Sequence, residues 1–317
     1  MEDAILTFPK QFEYVPEIKG KLPSASHFVV CGMGGSHLQA DILRDSDPQL
    51  DLIVHSDYGL SPSAHVPPAN MKVKDDTLFI ACSYSGNTEE VLDFAERVHS
   101  GGYQLACISI GGKLLEYAQK NDIPYIELPD TGIQPRSAVG FALLALVQMV
   151  KPEIIDELHT LTTIIKPENL REEGKNIAES LKGFIPVIYS SRANRSVGYN
   201  WKITFNETGK VPAFSNSFPE LNHNEMQGFA TLEKGFRFIF IRDDNDHVRV
   251  QKRMDVCEAM FEKKGMEVIS THLIGVTYFE RVFNSLILAD WVALYTAKLN
   301  GEEPESVPII EEFKKQL

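Results

Sequence analysis

The chain has 317 residues, of which 43% are hydrophobic, which suits two domains with substantial cores. Its formal charge of −13 argues against non-specific nucleic-acid binding, because phosphate backbones attract basic surfaces, and any anionic ligand would need a local site. The opening MEDAILTFPKQFEYV has early acids and no long apolar core, and no apolar run reaches membrane-spanning length. We therefore expect a soluble, cytoplasmic protein without membrane contact.

Strand-like and helical patterns alternate along the chain, which predicts α/β architecture with parallel sheets. In the first half the strand-like runs are HFVVCGMGG, DTLFIACSYSG, LACISIGG and IPYIELPD. Cys31, Cys82 and Cys107 lie in these runs, and no CxxC pair occurs, so the three are expected to be small buried hydrophobes.

A mostly helical stretch, residues 138–181, comes next and is broken by Pro152 and Pro167. The domain boundary is placed there, which gives an N-terminal domain of residues 1–152 and a C-terminal domain of residues 153–317. A second series of strand-like runs follows as FIPVIYSS, FRFIFIRDD and MEVISTHLIG. The two series align as strand, turn and helix, as in a duplicated fold.

The first domain contains a loop rich in hydroxyl groups, SYSGNT, between a strand and a helical pattern. A helix N-terminus has unpaired N–H groups and about half a positive charge, so it favours a phosphate. Ser83, Ser85 and Thr88 would add hydroxyl donors, and Gly86 would let the backbone approach closely. No GxxxxGK[ST] occurs, which excludes a P-loop, and the lack of a lysine fits a phosphate monoester. The alternative is an ordinary N-cap and turn.

A second glycine-rich turn favours the phosphate site over that alternative. In CGMGGSHLQADIL, Gly35 and Ser36 follow the preceding strand and would offer donors to the same crevice, since ligands of parallel sheets bind outside the carboxyl ends of the strands. The corresponding turn of the second series contains carboxylates instead, at Asp243, Asp244 and Asp246. An anion is therefore expected only at the first of the two turns.

Three motifs, GMGGS, SYSGNTEE and PRSAVGF, occur in this order and resemble those of the sugar isomerase (SIS) superfamily. Within it, the chain is similar to the bifunctional phosphoglucose/phosphomannose isomerases over nearly its whole length. The resemblance implies two SIS-type domains, each a mostly parallel sheet flanked by helices in a flavodoxin-like three-layer sandwich. The sequence departs from the family at His37-Leu38-Gln39-Ala40, where small residues are usual. That bulk could narrow or reshape the pocket, and His37 is expected on the helix surface rather than in catalysis.

The resemblance also implies an aldose–ketose isomerase, which interconverts glucose 6-phosphate, mannose 6-phosphate or both with fructose 6-phosphate through an enediolate. This reaction needs a carboxylate base, a group that helps to open the ring and a cation beside the enediolate oxygen. By similarity to the family's Asn-Glu-x-x-Lys motif, the base is Glu207. The family's His-Asn-Glu pattern makes His223 the ring-opening group and implies a homodimer, with His223 donated to the partner's site. Arg136 is the candidate for stabilising the enediolate.

Further positions complete this interpretation. Glu225 is expected to be an orienting or structural residue rather than a second base, and Ser306 replaces the family's threonine beside Val-Pro, where a hydroxyl contributes to tolerance of both C2 epimers. No cofactor or metal is expected, because the histidines, His65 among them, are scattered without an HxH or HxxxH pair.

The alternative function is a non-catalytic SIS-type sensor of sugar phosphates. The presence of both Glu207 and His223 argues against it, since a sensor would not need them. The phosphate would be bound by Gly35, Ser36, Ser83, Ser85 and Thr88.

Overall fold

The computed structural model describes residues 1–60, 76–229 and 235–316. The chain divides into two compact units, which we call the first unit (Thr7–Ile164) and the second unit (Met1–Leu6 with Ile165–Leu317). Helix α1, Glu2–Leu6, opens the chain and belongs to the second unit.

The first unit is built on a five-stranded, wholly parallel sheet with the strand order β2-β1-β3-β4-β5. Every residue of the central strand β3 is buried, as expected for a parallel sheet that is covered on both faces. The strands are β1 (His27–Cys31), β2 (Leu52–His55), β3 (Thr77–Cys82), β4 (Gln104–Ser109) and β5 (Tyr125–Glu127). The helices are α2 (Leu38–Ser46), α3 (Glu89–Ser100), α4 (Gly112–Lys120), α5 (Val139–Val150) and α6 (Ile155–Ile164).

The first unit ends with helix α6, at Ile164. The predicted boundary at residue 152 lies one helix earlier, but α6 packs on a 3₁₀ helix of the first unit, Phe8–Glu13. The two predicted helix breaks occur where expected, because Pro152 and Pro167 each begin a short 3₁₀ helix. Helix α5 is apolar on nearly all sides and lies almost wholly in the core.

The second unit repeats this plan with four parallel strands in the order β7-β6-β8-β9. Strands β6 and β8 occupy the places that β1 and β3 take in the first sheet, so the predicted duplication of the fold is confirmed. The strands are β6 (Ile185–Ser191), β7 (Phe214–Phe218), β8 (Phe236–Arg242) and β9 (Val268–His272). The helices are α7 (Arg171–Leu181), α8 (Arg195–Glu207), α9 (Glu225–Gly228), α10 (Val248–Lys263), α11 (Tyr278–Asn300) and α12 (Pro308–Lys314).

Helix α11 is the central helix of the second unit. Contrary to the sequence-based expectation, it is long and apolar enough to cross a membrane by length and composition. However, 78% of its most apolar window is buried inside the protein, and it packs against α7 and α8. These contacts are those of a core helix.

Cys31, Cys82 and Cys107 are buried as predicted, and Cys257 is buried as well. All four have free thiols. Burial raises the pKa of the Cys82 thiol to about 12, so this group stays protonated at neutral pH. The cysteines of the first sheet therefore act as small apolar side chains.

Candidate active site

The turn that follows β1 is shaped by glycines. Gly34 has a φ of +55°, in the left-handed region that side chains disfavour. A Cβ on Gly35 would lie 3.1 Å from the Cα of Arg136, and a Cβ on Gly32 would lie 2.4 Å from the carbonyl oxygen of Ser36. The GMGGS sequence therefore allows the backbone that carries Arg136 to lie directly against this turn.

The hydroxyl-rich loop after β3 is closed by its own hydrogen bonds. Ser83 is buried, and its Oγ lies 2.9 Å from Oγ1 of Thr88 and accepts a hydrogen bond from the N–H of Gly86 at 3.1 Å. Gly86 has a φ of +71°, and a Cβ there would lie 1.8 Å from the carbonyl oxygen of Gly111. Only glycine fits at this point of the loop.

The N-terminus of α3 lies at the end of the same loop. Thr88 is the N-cap residue, yet its side chain makes no capping hydrogen bond, because its hydroxyl pairs with Ser83 instead. The first turn of a helix has N–H groups without intrahelical acceptors, so this end of α3 can donate to an anion. Ser85 is exposed, and its Oγ accepts from the N–H of Asn87 at 3.3 Å.

The two turns are joined by a hydrogen bond and share a small pocket. The Oγ of Ser36 accepts a hydrogen bond from the N–H of Tyr84 at 3.2 Å. The pocket is lined by residues of both turns and by the segment that precedes Arg136, among them Gly35, Ser36, Gln39, Ser83, Tyr84 and Pro135. Of the five predicted phosphate ligands, Gly35, Ser36 and Ser83 line this pocket, Thr88 pairs with Ser83, and Ser85 is exposed.

Arg136 is buried in a 3₁₀ helix, Pro135–Ser137, which is held by a residue that the sequence did not indicate. The Nε2 of Gln11 donates to the carbonyl oxygen of Ser137 at 2.7 Å, and its Oε1 accepts from the N–H groups of Gly140 and Phe141 at 3.0 and 3.2 Å. The Gln11 amide therefore caps α5 and fixes the turn that carries Arg136. A lone glutamine 125 positions from Arg136 gives no local sequence signal for this role.

The expectation that His37 lies on the helix surface is wrong. Its side chain is buried, with Nδ1 2.5 Å from Oδ2 of Asp41. Burial alone would raise the pKa of the Asp41 carboxyl, but His37 and Arg44 outweigh it and hold this pKa below its usual value. Gln39 is also buried, and its Nε2 donates to the carbonyl oxygen of Ser36 at 2.6 Å. The bulky residues after GMGGS thus pack inward and support the turn.

In the second unit, Glu207 is the last residue of α8 and is half-buried. Its carbonyl oxygen accepts a hydrogen bond from Nζ of Lys210 at 2.5 Å, and the same Nζ donates to the carbonyl oxygen of Ser306. Ser306 itself is exposed in the tail that follows α11. The structure therefore brings the backbones of two predicted site residues, Glu207 and Ser306, to one ammonium group.

Glu207 and His223 lie at opposite edges of the second sheet. Helix α8 begins after the carboxyl end of β6 and returns to the amino end of β7, so Glu207 lies at the amino edge. His223 follows β7 in a 3₁₀ helix, Glu220–His223, at the carboxyl edge, and is exposed. One strand length, about 16 Å, separates the two edges. His223 lines a pocket of about 450 Å³ with residues such as Met226, Met260 and Lys264, and Glu207 is not among its lining residues.

The other two carboxylates near His223 are engaged in local hydrogen bonds. Glu225 accepts from the hydroxyl of Tyr189 at 2.6 Å and from the side-chain amide of Asn216. Glu220 accepts from the side-chain amide of Asn224 at 2.9 Å. These contacts fit the structural role predicted for Glu225, which fixes the turn next to His223.

The carboxyl edge of the second sheet has its own crevice, which carboxylates fill. The side-chain amide of Asn194 donates to Oδ2 of Asp243 at 3.3 Å and to Oδ1 of Asp246 at 3.2 Å, and both aspartates are buried. Arg281 lies 3.6 Å from Asp243. Burial raises the pKa of the Asp246 carboxyl more than its hydrogen bonds lower it, and the charge of Asp243 adds to the rise. This second crevice therefore contains carboxylates, whereas the crevice of the first unit contains hydroxyl and N–H groups that can donate hydrogen bonds.

Within residues 1–60, 76–229 and 235–316, no group of three or more His, Cys, Asp or Glu side chains is placed to hold a metal ion. His65, one of the scattered histidines of the sequence, lies outside the described residues.

Comparison with known proteins gives consistent matches. The family model of the bacterial phospho-glucose isomerase C-terminal SIS domain matches residues 170–317. A bifunctional phosphoglucose/phosphomannose isomerase of Aquifex aeolicus is 34% identical over 319 residues, which cover 98% of this chain and 96% of the relative. A D-glucosamine-6-phosphate 4-epimerase of Sulfolobus acidocaldarius is 30% identical over 74% of this chain and 72% of its own length.

The fold is also found among solved structures. Glucosamine-6-phosphate deaminase of Thermotoga maritima superposes with a TM-score of 0.71 at 16% identity, over 96% of this chain and 95% of that one. At this identity the match shows the fold alone. It agrees with the two SIS-type domains predicted from the sequence.

Proposed function

Because the chain belongs to the family of bifunctional phosphoglucose/phosphomannose isomerases and is thus a sugar-phosphate isomerase, we propose that it interconverts glucose 6-phosphate and mannose 6-phosphate with fructose 6-phosphate. The observation that carries the proposal is the uncapped N-terminus of α3 beside Ser83 and Thr88. Helix N–H groups, hydroxyls and a close glycine backbone together suit the terminal phosphate of a hexose monoester.

In this proposal the phosphate is bound by the two joined turns of the first unit. Gly35 and Ser36 contribute from one turn, and Ser83, Ser85 and Thr88 from the other. The pair of turns is supported from behind by the inward-packed Gln39. The net charge of −13 makes such a local donor cluster necessary, since the surface as a whole repels a phosphate dianion.

Proton transfer is assigned to Glu207. Its carboxylate removes the proton from C2 of the open-chain aldose, and the C–H electron pair forms the C1=C2 double bond while the carbonyl oxygen on C1 becomes an oxyanion. The C2 hydroxyl then gives up its proton while the C1 oxyanion gains one, and Glu207 returns its proton to C1 as the electron pair of the double bond forms the C–H bond and C2 becomes the ketone. Arg136 stabilises the oxyanion, since its guanidinium remains charged at every relevant pH and can fork onto neighbouring oxygens. Because Arg136 supplies this positive charge, the reaction is proposed to need no metal ion.

Ring opening is assigned to His223 of a partner subunit in a homodimer. Glu207 and His223 lie at opposite edges of the second sheet, and His223 is exposed beside a pocket that Glu207 does not line. This separation supports the proposal that each subunit contributes its His223 to the active site of the other, as the family resemblance implies.

A coupled assay with fructose 6-phosphate tests the activity, and Glu207→Gln tests the base. The amide keeps the shape of the side chain but cannot accept the proton, so kcat should fall by at least about 10². Binding of fructose 6-phosphate, followed by calorimetry, should stay near the wild-type value because the phosphate turns are unchanged. Glu225→Gln is the matched control, since its contacts are structural.

Three outcomes would contradict these assignments. If Glu225→Gln abolished turnover while Glu207→Gln retained nearly wild-type turnover, Glu207 would not be the base. Binding of fructose 6-phosphate without turnover in the wild-type protein would favour the sugar-phosphate sensor. Turnover of D-glucosamine 6-phosphate to its 4-epimer in place of isomerisation would point to the chemistry named for the epimerase relative.

Mixed dimers test the shared site. Glu207→Gln and His223→Ala proteins should each be inactive, and after subunit exchange a hybrid dimer would have one intact site and one doubly defective site. About half of randomly exchanged dimers are hybrids, so activity should recover to about a quarter of wild type. If exchange is verified with labelled subunits and no activity returns, His223 does not act across the dimer.

A further inference from the structure

Lys210 makes a three-way contact at the end of α8 in the second unit. Its ammonium group donates to the carbonyl oxygens of Glu207 at 2.5 Å, of Pro304 at 3.4 Å and of Ser306. An ammonium group has three N–H donors, so it can bind several carbonyl oxygens at once. The contacts join the end of α8 to residues that are far away in the sequence.

The local backbone explains why the Glu207 carbonyl needs this partner. The N–H groups of Thr208 and Gly209 both donate to the carbonyl of Thr204, and the N–H of Val211 donates to Phe205. The last carbonyls of a helix lack intrahelical donors, and a lysine beside them is favoured by the helix dipole. The Lys210 ammonium supplies a donor to the carbonyl of Glu207.

Lys210 occupies a backbone conformation that its side chain disfavours. Its φ is +57°, in the left-handed region that is unfavourable for a residue with a Cβ. A lysine in this conformation is an outlier that requires a reason. The bonds to the tail provide one, because glycine would fit the turn but would leave the tail carbonyls without the ammonium group.

The tail itself is a compact turn. Gly301 ends α11 with a φ of +74°, and the Glu303 carboxylate then accepts from the N–H groups of Glu305 and Ser306 at 2.8 and 2.6 Å. These hydrogen bonds from Ser306 lower the pKa of the Glu303 carboxyl, and the charge of Lys210 lowers it further. The carboxylate and the ammonium group therefore hold Ser306 from two sides.

We infer that Lys210 is a positioning residue, which clamps the tail residue Ser306 to the end of the helix that carries Glu207. It acts on both residues through their backbones and does not touch the substrate. The role rests on the proposed function, in which Glu207 is the base, and on the family resemblance, which links the Ser306 hydroxyl to tolerance of both C2 epimers. In this view the spacing from Glu207 to Lys210 lets the lysine reach back to the glutamate carbonyl, while the side-chain amide of Asn206 donates to the carbonyl of Val211 at 3.0 Å.

Lys210→Met tests the clamp, because methionine keeps much of the stem but has no donors. We expect kcat to fall about tenfold to a hundredfold, as small misplacements of reacting groups typically do, with the Michaelis constant for fructose 6-phosphate changed much less. The ratio of kcat/KM for glucose 6-phosphate and mannose 6-phosphate should also change, because Ser306 is displaced. Lys210→Arg, which retains charge and donors, should recover part of the loss. Lys175→Met, an exposed lysine of α7, is the matched control and should behave as wild type.

A second measurement needs no substrate. A glutamate-specific protease should release the tail beyond Glu303 or Glu305 several-fold faster from Lys210→Met than from wild type or the Lys175→Met control, as followed by mass spectrometry. In a double-mutant cycle, Lys210→Met should no longer change the ratio between the two aldoses in a Ser306→Ala background, since the hydroxyl that the clamp positions is then absent.

The outcomes separate the clamp from the proposed function. Unchanged tail cleavage in Lys210→Met would overturn the clamp. Faster cleavage with unchanged kcat and an unchanged ratio between the two aldoses would overturn its positioning role. A wild-type chain without isomerase activity would overturn the proposed function and the positioning role with it, while the cleavage rates would still decide whether Lys210 holds the tail.

Discussion

The two sheets have corresponding crevices at their carboxyl edges, and these crevices have opposite character. In the first unit the crevice is bordered by the hydroxyls of Ser36, Ser83 and Thr88 and by the uncapped end of α3. In the second unit the same place between the two central strands holds the buried carboxylates of Asp243 and Asp246. Topology therefore provides a crevice in each unit, but the side chains decide whether an anion can enter it.

In the second crevice, side chains of the same unit surround the carboxylates. Asn194 donates to both carboxylates, and Arg281 lies close to one of them. Buried charges are costly unless hydrogen bonds and opposite charges surround them. Each carboxylate accepts from Asn194 within the unit, although Oδ2 of Asp246 is buried without a hydrogen-bond partner among the residues that the structure describes. In the first crevice, by contrast, the helix N-terminus has no capping side chain.

The largest expected effect comes from giving the first crevice the charge of the second. Ser83 comes directly after β3, and Asp243 comes directly after β8, the corresponding strand of the second sheet. The substitution Ser83→Asp therefore puts a carboxylate at the matching position of the first crevice. A like charge at a phosphate site costs several kcal/mol, so the Michaelis constant for fructose 6-phosphate should rise at least about a hundredfold. The measurement is the steady-state assay together with calorimetric binding of the same sugar phosphate.

Ser83→Asn is the control for this change, because asparagine has the size of aspartate without its charge. It removes the Ser83 hydroxyl and should weaken binding only about tenfold, the cost of one hydrogen bond to a charged group. Thermal unfolding of both variants checks that each is folded. Equal losses in the two variants would show that charge does not distinguish the crevices.

Much of this comparison could be predicted from the sequence. The runs that became β1, β3, β4 and β5, and those that became β6, β8 and β9, are apolar enough to be recognised, and the two turn sequences reveal the difference in charge. Strands β2 and β7 were missed. Strand β7, FSNSF, is polar and only partly buried, so its pattern does not differ from that of a loop.

The contacts that hold the site were beyond sequence reasoning because they join distant positions. Gln11 and Asn194 act through side-chain amides on segments that the fold brings to them. His37 is polar and was assigned to the surface, yet Asp41 one turn later provides the partner that allows its burial. The sixteen positions between Glu207 and His223 likewise do not reveal that a whole strand separates them.

The smallest expected effect concerns the stability of the second crevice. The folded-state pKa of Asp246 is raised above the unfolded value of about 3.9, so the folded state retains a proton that the unfolded state has already lost. Stability therefore falls as pH increases from the unfolded pKa to the folded pKa, and the loss persists at higher pH. Asp246→Asn cannot ionise, while its side-chain oxygen can still accept from Asn194.

Asp246→Asn should accordingly be more stable than wild type at pH 7, by on the order of 1 kcal/mol or a rise in Tm of about 2–4 °C, with a smaller difference at pH 4. Differential scanning calorimetry at both pH values measures this, and Asp244→Asn, whose side chain is 95% exposed, should leave the Tm unchanged. Turnover should stay at the wild-type level, because this crevice has no part in the proposed reaction. A Tm lowered equally at pH 4 and pH 7 would mean that the Asp246 carboxylate is a net stabilising partner of Asn194 and Arg281. In that case burying the Asp246 carboxylate would not lower the stability of the second unit, because Asn194 and Arg281 would compensate its charge.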